Sequence, residues 1–267
     1  MKTLWLKKGE DRRIRAGHLW IFSNEIDSAK SPLPDFEPGE NATLRDARGA
    51  VLGSVFVNPH SLICARLYSR KADLPLDADL LRQRLQSALG LRQRLYNQPW
   101  YRLCHGEGDW LPGLVLDRYG DVFSAQITTA GMEAQKDALL EVLGELFTPK
   151  AVLLRNDVGV RTMENLPLLV ETGMGTVPDE IEVRESGAAF TVSLAEGQKT
   201  GWFYDQRRNR REAARYAAGA DVLDIFCYAG GFGGTAAAAG LKLWKNKHGA
   251  RILQRNGIEF MNFAGNL

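Results

Sequence analysis

The chain has 267 residues, 45% of them hydrophobic and 25% charged, with Lys+Arg 34 against Asp+Glu 32. This composition is that of a globular protein and excludes a disordered tail or a collagen-like rod. At roughly 150 residues per domain the length predicts two domains, or three small ones.

The first seventy-odd residues read as β structure. Residues 4–7 alternate, 20–22 are a short apolar run, and 42–45, 51–57 and 62–68 are strand-like, with Pro and Gly turns between them. Short strands at this spacing, with almost no helix signal, predict a small barrel. Helical periodicity takes over at 77–97. Leu81, Leu85, Ala88 and Leu95 share one face, and Asp77 is placed as the N-cap. Strands are expected at 101–104, 114–117 and 122–129, with a hairpin turn at Tyr119-Gly120-Asp121. A helix at 132–147 and a strand at 151–154 come next, then strands at 180–184 and 189–194. A basic amphipathic helix should run after Asp205 to about Ala218. A buried strand at 222–226 then enters a glycine turn and the helix-prone residues 235–239, the opening of a βαβ nucleotide-binding unit.

Charge is unevenly spread. Residues 1–75 carry 12 basic and 9 acidic side chains, 76–190 carry 11 and 17, and 191–267 carry 11 and 6. Basic ends around an acidic middle point weakly to a polyanionic partner. No run of ~18 apolar residues occurs, so no membrane partner is expected, and the apolar stretch at 3–6 is too short for a signal peptide. Cys64, Cys104 and Cys227 are an odd count without a C-x-x-C pair, which reads as reduced thiols in a cytoplasmic protein. No His/Cys/Asp cluster has metal-ligand spacing.

Two ligands compete for the glycine turn. Gly231-x-Gly233-x-x-Ala236 matches a dinucleotide fingerprint, but that site needs an acid about 20 residues on. None occurs before Glu259. An S-adenosylmethionine site fits better: small glycines let the backbone pass close to the methionine part, and Asp224 can meet its ammonium group. A plain strand–helix turn capped by Asp224 is the alternative. The stretch from Gln198 to Arg210, dense in polar and aromatic groups without period, has the character of a site loop.

Several separated motifs carry a resemblance. Arg12-Arg13 with Gly17-His18-Leu19-Trp20-Ile21-Phe22-Ser23-Asn24-Glu25-Ile26 resembles a PUA opening, and Tyr101-Arg102-Leu103-Cys104-His105-Gly106-Glu107-Gly108-Asp109 through Leu114, with Asp117-Arg118-Tyr119-Gly120 after it, resembles the central domain. Gly197-Gln198-Lys199-Thr200-Gly201 through Asp205-Gln206-Arg207-Arg208-Asn209-Arg210, and Asp224-Ile225-Phe226-Cys227-Tyr228-Ala229-Gly230-Gly231-Phe232, resemble the catalytic domain. Together these resemble the bacterial 23S ribosomal RNA cytosine-5 methyltransferases with an N-terminal PUA domain.

The resemblance implies an α/β multi-domain chain: a small PUA-like β-barrel for RNA at 1–75, a central α+β domain at 76–190, and a Rossmann-like methyltransferase domain at 191–267. It implies S-adenosylmethionine held by Lys199, Thr200, Gly201, Asp205, Asp224, Phe226, Tyr228, Gly230, Gly231 and Phe232. It also implies 23S rRNA as partner, met by Arg12, Arg13, His18, Arg207, Arg208, Arg210 and Arg211. A homodimer is compatible with an exposed edge at 222–226. Methylation of cytosine carbon 5 needs a thiolate and a base, which the family takes from Ser-Cys-Ser-like and Asp-Pro-Pro motifs. This sequence has no Pro-Pro pair and no Cys after Cys227. The expectation is therefore no catalytic residue, an incomplete third domain, a reading frame disturbed near residue 241, and either an inactive methyltransferase chain or a non-catalytic PUA-type RNA-binding fragment.

Overall fold

The computed structural model describes residues 1–217, 224, 227–239, 251–255 and 258–262. The chain divides into two compact units, Met1–Val177 and Pro178–Leu267.

The first unit opens with β1 (Lys2–Trp5), a short helix α1 (Asp11–Arg15), β2 (Trp20–Ile21), β3 (Glu40–Arg45), β4 (Val51–Val57) and β5 (Ala65–Ser69). They form one sheet in the order β1-β3-β4-β5-β2, with β1 parallel to β3 and every other pair antiparallel. Alternation of apolar residues explains the register: Leu4, Leu44, Val55, Val57 and Leu67 are buried together with Ile14 of α1. The edge strands β1 and β2 do not pair with each other among the described residues, so the expected small barrel is a five-stranded sheet without a closing pair. Helix α1 is not legible in the sequence because its five residues are too few to show a period.

Next comes α2 (Ala78–Leu95), one of whose free N-terminal N–H groups is met by Asp77: its carboxylate accepts from the Leu80 amide at 3.0 Å. Leu81, Leu85 and Ala88 are buried as the periodicity requires, whereas Leu95, expected on the same face, is exposed at the last turn. Strands β6 (Trp100–His105), β7 (Leu114–Tyr119) and β8 (Val122–Ile127) form a meander. The helices α3 (Ala130–Glu133) and α4 (Lys136–Phe147) cross over to β9 (Ala151–Asn156), and β10 (Leu169–Gly175) adds an edge. The sheet order is β10-β9-β8-β7-β6, parallel only at β8–β9. The single helix expected at 132–147 is thus two, separated at Ala134 and Gln135. Strand β10 has no clear sequence signal because it carries glycines and is mostly half-exposed.

The two sheets share core. Phe56 and Tyr68 of the first pack into the cluster that holds Leu81, Leu103, Phe123 and Leu139 of the second. Gly131 permits this: a Cβ there would sit 2.1 Å from the Phe56 ring. Glu164, only 3% exposed, completes the join. Its carboxylate accepts from Asn58 Nδ2 (2.8 Å), Ser61 Oγ (3.3 Å) and the Ala130 amide (3.3 Å), and pairs with Arg66 (3.2 Å).

The second unit begins with an antiparallel hairpin, β11 (Ile181–Glu185) and β12 (Ala188–Val192). Ser186 and Gly187 at its turn have φ of 53° and 82°, which matches strand twist in a two-residue hairpin. Helices α5 (Arg207–Tyr216) and α6 (Gly231–Ala238) pack on each other, and α6 also meets β12. The backbone of β13 (Arg251–Arg255) and β14 (Ile258–Asn262) forms a second antiparallel pair. The hairpin β11–β12, expected from sequence to belong to the middle of the chain, groups instead with the second unit. The expected strand at 222–226, and with it the edge on which a homodimer rested, lies outside the described residues except for Asp224. Among the described residues no helix is long and apolar enough to cross a membrane.

Candidate functional site

The loop after β12 and the loop that enters α6 face each other across a cavity of about 410 Å³. Its walls include Lys199, Trp202, Phe203, Arg210, Asp224 and Tyr228, with Gly231 and Phe232 at the start of α6. The volume lies within the range of small-molecule sites.

Each loop is fixed by identifiable contacts. Tyr228, at φ 52°, donates its hydroxyl to the Gly201 carbonyl at 3.0 Å, so one loop holds the other. Its ring meets Phe203 edge-on at 5.7 Å. Gly230 turns the chain into α6 at φ 73°, a conformation L side chains rarely adopt. Asp224 accepts from the Gly233 amide through Oδ2 at 2.8 Å; its other oxygen has no partner among the described residues. A Cβ on Gly231 would stand 3.1 Å from both Arg210 Cδ and Trp202 Cη2, and one on Gly233 would stand 3.0 Å from Asp224 Oδ2. A side chain at either glycine would be accommodated only if these neighbours moved by a few tenths of an ångström.

Behind the cavity lies a buried ionic knot. Glu185, at the end of β11, takes Arg210 Nε at 2.6 Å, Arg210 Nη2 at 2.9 Å, Arg207 Nε at 2.9 Å and Trp202 Nε1 at 3.2 Å. The Arg210 guanidinium also covers the Trp202 ring, 4.5 Å from its centroid. Burial pushes the Glu185 carboxyl up, but the hydrogen bonds and charges of Arg210 and Arg207 outweigh it and hold the group below the usual carboxylate range.

Of the cofactor residues expected from sequence, Lys199, Asp224, Tyr228, Gly231 and Phe232 line the cavity. Thr200 and Gly201 are buried in the loop behind them, Gly230 makes the turn, and Asp205 pairs with Lys199 at 3.7 Å. Phe226 lies outside the described residues. Of the residues expected to meet RNA, Arg12, His18, Arg208 and Arg211 are exposed. Arg13 pairs with Glu25 at 2.7 Å. Arg210 is 2% exposed and bonded to Glu185 and the Phe203 carbonyl, and Arg207 is mostly buried against Glu185. Trp202, Phe203 and Cys227 join the wall without having been expected there individually, although the aromatic density of the loop is visible in the sequence. Nothing in the sequence marks Glu185. Among the described residues no group of three or more His, Cys, Asp or Glu could hold a metal ion.

Residues 4–70 match the family model of a PUA-like domain, and residues 170–265 match that of S-adenosylmethionine-dependent methyltransferases. The chain joins a PUA-like domain to methyltransferase sequence. The methyltransferase match crosses residue 241, where a disturbed frame was expected, and continues to 265. Among the relatives, "Ribosomal RNA large subunit methyltransferase I" of Tolumonas auensis is 36% identical over 245 residues, and that of Aeromonas hydrophila 37% over 248. Each alignment covers 90% of this chain and 61% of the relative, so the chain spans about three-fifths of the curated relatives it matches. Two solved methyltransferase structures, one complexed with SAH and one from Streptococcus mutans, are similar in fold, with TM-scores of 0.74 and 0.72. Both are 21% identical and cover 90% of this chain and 61% of theirs. The cofactor of the matched methyltransferase family is S-adenosylmethionine, which the sequence favours over a dinucleotide.

Proposed function

We propose that this chain is a methyltransferase of large-subunit ribosomal RNA whose second unit binds S-adenosylmethionine in the 410 Å³ cavity. The observation that carries this reading is Asp224. Its carboxylate lines the cavity with one oxygen fixed by the Gly233 amide and the other unengaged among the described residues, ready to accept from an ammonium group. Gly231 lines the cavity at the start of α6, and Trp202, Phe203, Tyr228 and Phe232 supply apolar and aromatic walls. When bound, the cofactor supplies an electrophilic methyl group; the residues of this chain orient it and exclude water around it.

On the RNA side, the proposal assigns phosphate contact to the exposed Arg12, Arg208 and Arg211, with His18 beside the PUA-like arginines in sequence. Arg207 and Arg210 act instead through the fold, by fixing the wall of the cavity. In function the proposal assigns residues 1–75 to RNA and the second unit, from Pro178 onward, to the cofactor, with the remainder of the first unit between them in sequence. The target class is carbon 5 of a cytosine in 23S rRNA, on the motif resemblance alone, and the place of action is the cytoplasm, where ribosomes are modified.

Methyl transfer to carbon 5 of cytosine requires a thiolate beside the base. Cys64 is buried and its thiol is pushed up to about 12 by desolvation. Cys104 is fully buried, and burial raises it further. Cys227 lines the cofactor cavity, where the methyl donor and not the base would sit. The Asp-Pro-Pro and Ser-Cys-Ser motifs do not occur in the 267 residues. As a second reading, the residues present bind cofactor and RNA without themselves supplying that thiolate. Calorimetric titration with S-adenosylmethionine separates the cases, alongside transfer of labelled methyl to ribosomal RNA. Binding at micromolar concentration supports the cofactor site; transfer with it supports the first reading for this chain alone, and binding without transfer the second. No heat at any accessible concentration would leave RNA binding only, and transfer would overturn the missing-nucleophile argument.

A further inference from the structure

Trp20 is unusual among the large side chains of the first unit: it is 42% exposed, yet it is not loose. Its indole N–H donates to Glu107 Oε1 at 2.6 Å. The Arg66 guanidinium lies against the ring, 5.1 Å from the centroid, and Trp20 and Arg66 are direct partners in the β2–β5 ladder. Arg66 is anchored in turn by Glu107 at 3.2 Å and by the buried Glu164 at 3.2 Å. A ring fixed at its edge, backed by a cation on one face and exposed to solvent, is a preorganised stacking surface. Glu107 Oε1 serves both Trp20 and Arg66, while Oε2 has no partner among the described residues, and the side chain is 31% exposed. An aromatic face therefore sits beside an unengaged carboxylate oxygen.

We propose that Trp20 and Glu107 form a site for one unpaired nucleobase, stacked on the indole and hydrogen-bonded to Glu107 through its amino group. The inference deepens the ribosomal RNA reading and rests on it. The pairing of a π-face with a fixed acceptor favours a base over a protein side chain, because it reads the plane and the edge of the same flat ligand. Adenine, cytosine and guanine each present an exocyclic amino donor at that edge. Uracil presents one N–H flanked by two carbonyls, whose lone pairs would face the Glu107 charge. The site should therefore prefer amino-bearing bases to uracil. Duplex RNA is excluded, since its bases are stacked on one another.

The test is fluorescence anisotropy of labelled single-stranded oligo(A), oligo(C) and oligo(U), and of a ribosomal RNA fragment, with the full 267-residue chain. Wild type should bind oligo(A) and oligo(C) more tightly than oligo(U). Trp20→Ala should weaken the first two roughly ten- to a hundred-fold, and Trp20→Phe, which keeps a stacking face, should weaken them less. Glu107→Gln, whose amide both donates and accepts, should erase the discrimination against uracil; a purely structural joint between the two sheets would not move base preference. Thermal unfolding of each variant reports whether the fold persists, and Trp20→Phe and Glu107→Gln carry the test if Trp20→Ala does not fold. If wild type binds ribosomal RNA but these variants bind every oligomer as wild type does, the base site is overturned while the RNA reading stands, and Trp20 is left to a protein contact. If wild type binds no RNA at all, both fall.

Discussion

Glu185 and Arg210 form a two-point pair, Nε to Oε1 at 2.6 Å and Nη2 to Oε2 at 2.9 Å, with side chains only 1% and 3% exposed. The pair ties the β11–β12 hairpin to α5 and sets Arg210 against Trp202 and Gly231 on the cavity wall. Removing one partner of a buried pair leaves an uncompensated charge, at a cost of about 3–5 kcal/mol. Glu185→Ala should therefore lower the stability of the second unit by that amount in urea unfolding and abolish cofactor binding. Glu185→Leu with Arg210→Met together should cost less than either change alone.

The same pair sets an acid limit. The Glu185 carboxyl is held below its ordinary 4.5, so the folded state binds fewer protons than the unfolded state as pH falls. Its contribution is fully present above about 4.5 and is lost as pH drops through the folded value. The stability difference between wild type and Glu185→Gln should be constant from neutral pH down to that point and shrink below it. Urea midpoints of both proteins as a function of pH provide the check.

Asp224 separates capping from ligand contact. Asparagine can still accept from the Gly233 amide, but it carries no charge for an ammonium group. A hydrogen bond to a charged group contributes about 1.5–3 kcal/mol. Asp224→Asn should thus weaken S-adenosylmethionine binding by roughly ten- to a hundred-fold, with little change in thermal midpoint. Asp224→Ala should lose both. Calorimetry and thermal unfolding read the two effects separately.

Gly131 tests the join in the first unit. An added methyl would enter the Phe56 ring, and overpacking of this kind costs typically about 1–3 kcal/mol. Gly131→Ala should destabilise the first unit by at least that much, measured by urea unfolding, and leave cofactor affinity unchanged.

Thiol labelling offers a ligand-dependent readout. Cys64 and Cys104 are buried with raised thiols, whereas Cys227 is partly exposed on the cavity wall. Iodoacetamide should modify Cys227 first, and S-adenosylmethionine should slow that reaction, as monitored by peptide mass spectrometry.

Much of this is legible in the residues. The strand at 51–57 and the Asp77 cap come from local pattern, because alternation and capping are properties of neighbouring residues. Asp224 and the glycines are legible for the same reason: Asp224, the turn at Gly230 and α6 are close neighbours in sequence. Glu185 is not, since its partners lie 17 to 25 residues away and a carboxylate on a short strand carries no sign of burial. Arg210 misleads in the complementary way. In Arg207-Arg208-Asn209-Arg210-Arg211 the four arginines look equivalent, and only the helix face decides which are buried against Glu185 and which face solvent. The Trp20–Glu107 contact joins residues 87 apart and has no local signal.

The most direct measurement of the central claim is a structure of this chain with S-adenosylhomocysteine bound. The account predicts the ligand between the loop of Lys199 to Phe203 and the start of α6, with its ammonium group at hydrogen-bond distance, about 2.7–3.2 Å, from the Asp224 carboxylate. A ligand seated elsewhere, or one in this cavity with Asp224 engaged only by Gly233, would contradict it.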